Sequence, residues 1–120
     1  WHRYAEALAD LPLVLPADPA ADTRHAYHLY TVMVDEAEAG IARDDFLDAM
    51  TAQKVGTGVH YQSLAEHPYY QQRFGWRAAQ WPHAQWIGQR TVSLPISPKL
   101  SDDDVTRVID AVRRVLGRAR

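Results

Sequence analysis

The sequence contains no cysteine, only two lysines and no long hydrophobic run. Without cysteine there is no disulfide framework, no zinc site built on thiolates and no cysteine nucleophile. The two lysines, Lys54 and Lys99, stand against eleven arginines. Lys54 follows a predicted helix and Lys99 precedes a helix cap, so neither is expected in the apolar pocket that Schiff-base chemistry requires. We therefore predict no covalently acting lysine in this chain.

Long apolar segments and an excess of positive charge are also missing. No run reaches the ~20 apolar residues of a membrane-spanning helix, and the first residues are not followed by the apolar segment of a signal peptide. Fifteen acidic residues against thirteen basic ones leave a formal net charge of −2, which excludes the basic footprint that drives nucleic-acid binding. We expect no membrane and no nucleic acid as partner, and a cytoplasmic location.

The length and composition are those of a globular domain. The chain has 120 residues, of which 47% are hydrophobic and 23% are charged. A chain of this size forms one domain or part of a larger protein. Because the first residue is Trp1 rather than methionine, we expect these residues to be a piece cut from a longer chain.

Short strands and several helices alternate along the chain. β-Branched and aromatic residues predict a central strand over residues 26–34, and shorter strands over 59–61 and 91–95. Apolar spacing and proline or glycine boundaries predict helices over residues 1–9, 43–54, 68–74, 82–90 and 102–116. Gly56 and Gly117 are placed to end the second and the last of these helices. The pattern favours an α+β fold class, a small sheet with helices packed on one side.

Polar residues mark the ends of two elements. Ser101 is predicted to cap the last helix, with Asp104 three residues later in a variant of the capping box. The acidic stretch from Asp35 to Glu38, followed by Gly40, predicts the turn after the central strand. Capping also accounts for the carboxylates at the helix starts, so they indicate no acid–base pair.

Spacing predicts neither a metal site nor a cofactor site. Six histidines are present, but His25 and His28 are three residues apart at a predicted strand, where that spacing points to opposite faces. The run from Gly56 to Gly58 is too short for a dinucleotide fingerprint or a phosphate loop. We predict no metal ligand, no cofactor-binding residue and no catalytic residue in this chain.

One histidine and a run of aromatic residues remain as candidates. His60 leaves a glycine-rich turn with Tyr61 beside it, where both side chains could reach a cleft; a buried, hydrogen-bonded histidine is the alternative. Seven of the twelve aromatic residues lie within 26 residues, at Tyr61, Tyr69, Tyr70, Phe74, Trp76, Trp81 and Trp86. Such a run could stack on sugar rings or on a partner, and we favour a domain core together with a subunit interface.

Several short motifs follow one another in a recognisable order. They are Gly58-Val59-His60-Tyr61, Pro68-Tyr69-Tyr70, Phe74-Gly75, Trp81-Pro82-His83-Ala84, Ser93-Leu94-Pro95-Ile96, Leu100-Ser101-Asp102-Asp103-Asp104-Val105 and Val108-Ile109. The ordered set resembles the C-terminal part of the DegT/DnrJ/EryC1/StrS aminotransferases. Segments 4–8 and 28–34 fit the part that precedes it, so the resemblance covers nearly the whole chain.

The resemblance implies a pyridoxal-phosphate enzyme that aminates nucleotide-linked keto-sugars with an amino donor such as glutamate. Residues 1–120 would be the C-terminal small domain of a fold type I aminotransferase, with a small antiparallel sheet. The N-terminal domain, which holds pyridoxal phosphate and its lysine in the family, is expected to be absent, and the fragment alone to be inactive. Family members are dimers whose small domain lends a loop to the substrate side. On that carry-over, His60 and Tyr61 are predicted to bind substrate.

Two positions depart from the family pattern. After the histidine–tyrosine pair the family often has two prolines, a leucine and a second histidine, and here Ala65 stands in place of that histidine, with His67 as a possible substitute. Gln85 replaces the glutamate of an alanine–glutamate pair. If the missing histidine contacts substrate in relatives, this protein binds a different sugar or binds its sugar poorly. The alternative function is a non-catalytic module derived from this domain, which binds a sugar nucleotide or a protein.

Overall fold

The computed structural model describes residues 1–118, which form six helices and one two-stranded sheet. The helices are α1 (His2–Ala7), α2 (Glu36–Ala39), α3 (Arg43–Ala52), α4 (Pro68–Phe74), α5 (Pro82–Arg90) and α6 (Asp102–Arg118). The strands are β1 (Tyr30–Met33) and β2 (Thr91–Leu94), and short 3-10 turns lie at Leu64–Glu66 and Ala78–Gln80. The α+β fold class is confirmed. Within these residues no helix is both long enough and apolar enough to cross a bilayer.

The two strands form an antiparallel ladder with one apolar face and one polar face. The register pairs Tyr30 with Leu94 and Val32 with Val92, and all four side chains are buried on one face. On the opposite face Thr31 lies across from Ser93, and their hydroxyl oxygens are 3.2 Å apart. The polar face is therefore the one that can organise a site.

Three helices cover the apolar face of the sheet. The core combines the apolar strand residues with side chains of α1, α3 and α6, among them Tyr4, Phe46, Met50, Val108, Val112 and Leu116. Full burial of one such side chain stabilises the fold by roughly 1.5–3 kcal/mol. The apolar stripe of α6, read from the sequence, is thus the stripe that packs in the core.

Ser101 and Asp104 cap α6 reciprocally, as predicted. The backbone N–H of Asp104 donates to Ser101 Oγ at 3.1 Å. The Asp104 carboxylate accepts from the Ser101 backbone N–H at 3.0 Å and from the Ser101 hydroxyl at 2.7 Å. These bonds satisfy donors that have no partner inside the helix.

The predicted third strand, residues 59–61, is wrong. Only Gly58 pairs with β2, through an isolated bridge to Ser93. Beyond it, side chains take the place of the ladder: the Thr91 hydroxyl donates to the His60 carbonyl at 3.4 Å, and the Ser93 hydroxyl meets the His60 ring. With these contacts made by side chains, the chain leaves the sheet after one bridge.

The element boundaries differ from the sequence pattern at both predicted glycine caps. α3 ends at Ala52 with Gln53 as its C-cap, and Lys54, with a φ of 61°, takes the left-handed turn expected of Gly56. α6 continues past Gly117 to Arg118. The long apolar run of α6 holds the helix together beyond the glycine, because packing outweighs the weak helix propensity of one residue.

The central strand is shorter than predicted, and an extra helical turn follows it. β1 begins at Tyr30, and Tyr27, with a φ of 50°, is outside the extended conformation that the predicted strand requires. After the strand, Asp35 caps α2 by accepting from the Ala37 N–H at 3.1 Å, and Gly40 ends it with a φ of 69°. The predicted turn is thus a one-turn helix.

Candidate functional site

His60 lies beside the sheet, where the chain meets β2 through one backbone bridge. The Gly58 N–H donates to the Ser93 carbonyl at 3.1 Å, and the Ser93 N–H donates to the Gly58 carbonyl at 2.7 Å. The His60 ring lies over Gly58, since a Cβ atom added there would be 3.0 Å from His60 Cε1. Glycine at position 58 therefore makes room for the imidazole.

A line of hydroxyl groups holds the half-buried imidazole of His60. Its Nδ1 lies 2.9 Å from Ser93 Oγ, which lies 3.2 Å from Thr31 Oγ1. Ser93 is buried in the sheet and so provides a fixed partner. Because Nδ1 is engaged on the sheet side, Nε2 is the ring nitrogen that can meet a ligand.

Tyr61 stands next to His60 and reaches into solvent. The two rings meet edge to face with centroids 4.8 Å apart. The Tyr61 residue is 73% exposed, and the peptide bond between the two residues is cis. The structure thus brings the two predicted residues together, while their contact with substrate stays a prediction.

The segment after the histidine–tyrosine pair lies against α5 at a glycine. A Cβ atom added at Gly88 would lie 2.7 Å from the backbone nitrogen of Ser63, closer than side chains approach backbone. Arg43 donates to the carbonyls of Gly88 and Thr91 at 3.2 and 3.3 Å. These contacts join α3, the end of α5 and the start of β2, and so set the path of the chain that carries the site.

His60 lines an open groove of about 300 Å³. Ser93, Gly58 and Ile96 also line it, together with His28. The sequence assigned no functional role to His28 and Ser93. Their approach to His60 depends on strand pairing between residues far apart in the chain, for which there is no local sequence signal.

Three ionisable side chains near the sheet have shifted pKa values and serve a structural role. The Arg90 guanidinium, 2.7 Å from the Asp35 carboxylate, donates a hydrogen bond that holds the pKa of Asp35 below its ordinary value. Burial raises the pKa of Tyr4 and of Tyr30 to about 12. Tyr4 donates to the Pro95 carbonyl at 2.8 Å, whereas the Tyr30 hydroxyl has no partner within residues 1–118. Both tyrosines stay neutral at physiological pH, so neither is suited to act as a general base.

The residues present do not fit a pyridoxal-phosphate site. Lys54 and Lys99 are both exposed, and a Schiff-base lysine needs a desolvated pocket. Gly58 bridges to Ser93 and lies under the His60 ring, and Gly56 is exposed with nothing within 4 Å of an added Cβ atom. Neither glycine stands at the start of a helix, where a phosphate could bind. Among the described residues no three histidine, aspartate or glutamate side chains gather as metal ligands do. No step of cofactor chemistry is therefore assigned to this chain.

The aromatic arm, residues 61–90, extends from the sheet with its apolar groups exposed. Its rings pack on one another: Tyr70 stacks on Trp76 with centroids 5.3 Å apart, and Trp76 lies 5.0 Å from Trp81. None of its aromatic residues joins the buried core, and neither α4 nor α5 buries a large side chain. The expected contribution of this run to a domain core is therefore wrong, and the expected contribution to a subunit interface stays a prediction.

An apolar cleft of about 410 Å³ opens in the aromatic arm. The cleft is lined by Ser63, Leu64, Ala65, Trp76, Trp81 and Ala84. Ala65, the residue that replaces the family's second histidine, is itself buried. His67, the suggested substitute, does not line this cleft. At position 65 the cleft therefore has the methyl group of alanine in place of an imidazole.

Comparison with known proteins places this geometry in a family. Residues 1–113 match the model of the DegT/DnrJ/EryC1/StrS aminotransferase family. The spore coat polysaccharide biosynthesis protein SpsC of Bacillus subtilis is 42% identical over 115 residues, which make up 95% of this chain and 30% of SpsC.

Two solved structures share the fold. DesI, solved in the presence of its TDP-sugar product, is 32% identical with a TM-score of 0.82, over 99% of this chain and 30% of DesI. Spr1654 of Streptococcus pneumoniae, named as a sugar aminotransferase and solved in its PLP form, is 22% identical with a TM-score of 0.86. That match covers 99% of this chain and 30% of Spr1654, and at this identity it shows the fold alone.

The chain thus spans about 30% of the length of the relatives that it matches. The family model covers nearly all of its residues, from Trp1 to Arg113. The ordered motifs, the antiparallel sheet and the packed helices agree with that match. The chain belongs to the DegT/DnrJ/EryC1/StrS aminotransferase family.

Proposed function

We propose that residues 1–120 are the C-terminal small domain of a pyridoxal-phosphate-dependent aminotransferase that acts on nucleotide-linked keto-sugars. The observation that carries this proposal is the match to DesI, a structure solved with its TDP-sugar product, over 99% of the chain at 32% identity. The cofactor and its lysine belong to a large domain outside these residues. When bound there, pyridoxal phosphate supplies the electron sink for amino transfer.

The role of this chain is to hold the sugar end of the substrate. The His60 Nε2 is the nitrogen that faces away from the Ser93 hydroxyl, and it can donate to or accept from a sugar hydroxyl, depending on the tautomer. The exposed ring and hydroxyl of Tyr61, beside it, can pack against the same sugar and bind one of its hydroxyls. Neither residue takes part in proton transfer in this proposal.

The test is amino transfer by the complete gene product that contains these residues. With pyridoxal phosphate, glutamate and a nucleotide-linked keto-sugar, we expect the visible absorbance of the bound cofactor and formation of the amino-sugar. The 120-residue chain alone is expected to be inactive, since Lys54 and Lys99 are exposed. A gene product that never binds the cofactor would overturn the proposal.

The substrate role of His60 has its own measurement. We expect His60→Ala to raise KM for the nucleotide sugar by about tenfold, the effect of losing one or two hydrogen bonds to a ligand. His83→Ala is the matched control, because His83 is exposed at the start of α5 and does not line the groove. Equal KM values for the two variants would remove His60 from the substrate site.

Besides the nucleotide sugar and the amino donor, the proposal includes a protein partner, which is another copy of the same protein. The aromatic arm exposes apolar side chains that a monomer in water usually buries. We propose a homodimer in which this face is covered. A cytoplasmic location remains an expectation.

A non-catalytic binding module is the second candidate function. It is favoured by the open groove and the apolar cleft, which exist without any cofactor domain. Titration of the isolated chain with nucleotide sugars separates the two functions. Saturable binding by the chain, together with a gene product that transfers no amino group, would favour the module.

A further inference from the structure

Three polar side chains form one chain of hydrogen bonds on the polar face of the sheet. Thr31 and Ser93 lie directly across from each other in the strand pair, with their hydroxyl oxygens 3.2 Å apart. On its other side, Ser93 Oγ lies 2.9 Å from His60 Nδ1. Within residues 1–118, neither hydroxyl has another side-chain or backbone partner. The protons of the three groups are therefore arranged together.

The hydroxyl of Ser93 carries a single proton, so it can donate to only one of its two neighbours. In one arrangement Thr31 donates to Ser93 and Ser93 donates to His60 Nδ1, which leaves the proton of the neutral ring on Nε2. In the other arrangement Nδ1–H donates to Ser93 and Ser93 donates to Thr31, which leaves Nε2 without a proton. The direction of these hydrogen bonds thus decides which form of the imidazole faces the groove.

The balance of donors and acceptors favours the first arrangement. It pairs both hydroxyl protons and the lone pair of His60 Nδ1 within the protein. The second arrangement leaves the proton of the half-buried Thr31 hydroxyl with no acceptor among residues 1–118. A donor that is partly withdrawn from water and has no partner lowers stability, so the arrangement that pairs it is preferred.

We propose that Thr31 is a positioning residue for the histidine of the substrate groove. Thr31 donates to Ser93, Ser93 donates to His60 Nδ1, and His60 presents an Nε2–H donor to the groove. The atom that His60 binds is then an oxygen that accepts a hydrogen bond, rather than a hydroxyl that donates one. This inference rests on the proposed function, because it specifies the kind of atom that His60 contacts in the same ligand.

The tautomer can be read directly from the nitrogen chemical shifts of the imidazole. The sample is the complete gene product with nitrogen-labelled histidine, at a pH where the ring is neutral, and the signals of His60 are those missing from His60→Ala. We expect Nε2 to carry the proton in the wild type. Thr31→Val keeps the shape of the side chain without its hydroxyl and should raise the fraction with the proton on Nδ1. Thr31→Ser restores the hydroxyl and should restore the wild-type spectrum.

The same variants should separate substrate binding from turnover. An imidazole without a proton on Nε2 cannot donate to the sugar, so the apparent affinity falls with the fraction of molecules in the competent form. We expect Thr31→Val to raise KM for the nucleotide sugar by roughly two- to fivefold, with kcat unchanged. Thr51→Val is the matched control, because the Thr51 hydroxyl donates to the Leu47 carbonyl at 3.0 Å, and its KM should equal that of the wild type.

Two results overturn the inference without touching the proposed function. A wild-type ring with its proton on Nδ1 reverses the direction of the hydrogen bonds, and this measurement does not depend on the folding of any Thr31 variant. Equal spectra for Thr31→Val and Thr51→Val, both shown to be folded by circular dichroism, would mean that Thr31 does not act on the ring. A gene product that transfers no amino group contradicts the proposed function instead, while the spectra still decide the direction of the hydrogen bonds.

Discussion

At the scale of single residues, the position of His60 is decided by groups on the polar face of the sheet. Ser93 Oγ lies between the His60 ring and the Thr31 hydroxyl, at 2.9 and 3.2 Å. A neutral imidazole has one donor nitrogen and one acceptor nitrogen, and the partner of one nitrogen selects the tautomer. The strand pair thus determines what Nε2 offers to a ligand.

Replacing Ser93 should therefore change the tautomer of His60. We expect Ser93→Ala to alter the proportions of the two neutral forms, measured by the nitrogen chemical shifts of the imidazole in solution, and to cost about 1 kcal/mol of stability. Ser97→Ala is the control, since the Ser97 hydroxyl accepts only from the backbone N–H of Lys99. Identical imidazole spectra for wild type and Ser93→Ala would show that the serine does not orient the ring.

Gly88 can be tested against another helical glycine. In Gly88→Ala the new Cβ would lie 2.7 Å from the Ser63 nitrogen, so backbone must shift, and we expect a loss of about 1–3 kcal/mol in the free energy of unfolding. Gly117→Ala should be neutral or stabilising by up to about 1 kcal/mol, because nothing lies within 4 Å of its added Cβ. Denaturant unfolding measures both. Equal stabilities for the two variants would contradict the close approach of α5 to the Ser63 segment.

Sequence reasoning found the histidine–tyrosine pair but not the residues that hold it. His60 and Tyr61 are neighbours that follow a glycine-rich turn, so a local sequence pattern is enough to identify them. Ser93 lies 33 residues away from His60, and Gly88 acts by having no side chain. Contacts of this kind depend on how elements pack, and a single sequence carries no periodic signal for them.

At the scale of elements, α6 shows how a local signal determines a boundary. The Ser101–Asp104 cap needs only residues three apart, and hydrogen bonds run in both directions between them. The prediction of a third strand was wrong because a strand needs a backbone partner along its whole length. After one bridge, the hydroxyls of Ser93 and Thr91 in β2 contact His60 instead. Capping can thus be predicted from sequence, whereas the length of a short edge strand cannot.

The cap of α6 should stabilise the protein in a pH-dependent way. Hydrogen bonds from Ser101 lower the pKa of Asp104 below its ordinary value of 3.8. A lowered carboxyl pKa contributes stability above the pKa of the unfolded chain, and this contribution is lost as pH falls through the folded value. We expect Ser101→Ala to cost about 1 kcal/mol near neutral pH, and the difference from wild type to shrink as pH falls below 3.8.

The measurement is denaturant unfolding of both proteins at neutral pH and at several acidic pH values. Thr51→Ala supplies a control on α3, because the Thr51 hydroxyl donates to the Leu47 carbonyl at 3.0 Å, a bond that involves no carboxylate. Its effect should not follow the titration of Asp104. A Ser101→Ala difference that stays constant through the acidic range would mean that the carboxylate of Asp104 contributes nothing to the cap.

At the scale of the whole molecule, the chain divides into a packed part and the aromatic arm. The core gathers side chains from both strands, α1, α3 and α6, whereas α4 contributes no buried residue. Composition and apolar stripes predicted the packed part well. They placed the aromatic run partly in a core because hydrophobic content does not say whether a surface is covered by the same chain or by another.

Exposure of the aromatic arm predicts self-association of the chain in solution. Among the described residues, seven of the eight exposed large hydrophobic residues lie in the arm, at Tyr61, Leu64, Tyr69, Phe74, Trp81, Trp86 and Ile87. Covering such a face removes apolar surface from water and favours association. We expect Phe74→Ser and Trp81→Ser each to weaken the association at least ~fivefold, equivalent to about 1 kcal/mol.

Sedimentation over a broad concentration range measures this association, and Val14→Ser is the matched control. Val14 is 52% exposed but lies outside the arm, so its loss should leave the association unchanged. If the face is the interface, only arm variants shift the chain toward the monomer. A monomer at every concentration would mean that the arm is stable in water uncovered, and an equal effect of Val14→Ser would place the association elsewhere. Either result would remove the aromatic arm as the dimer interface of the proposed function, while leaving the substrate groove to be judged by its own variants.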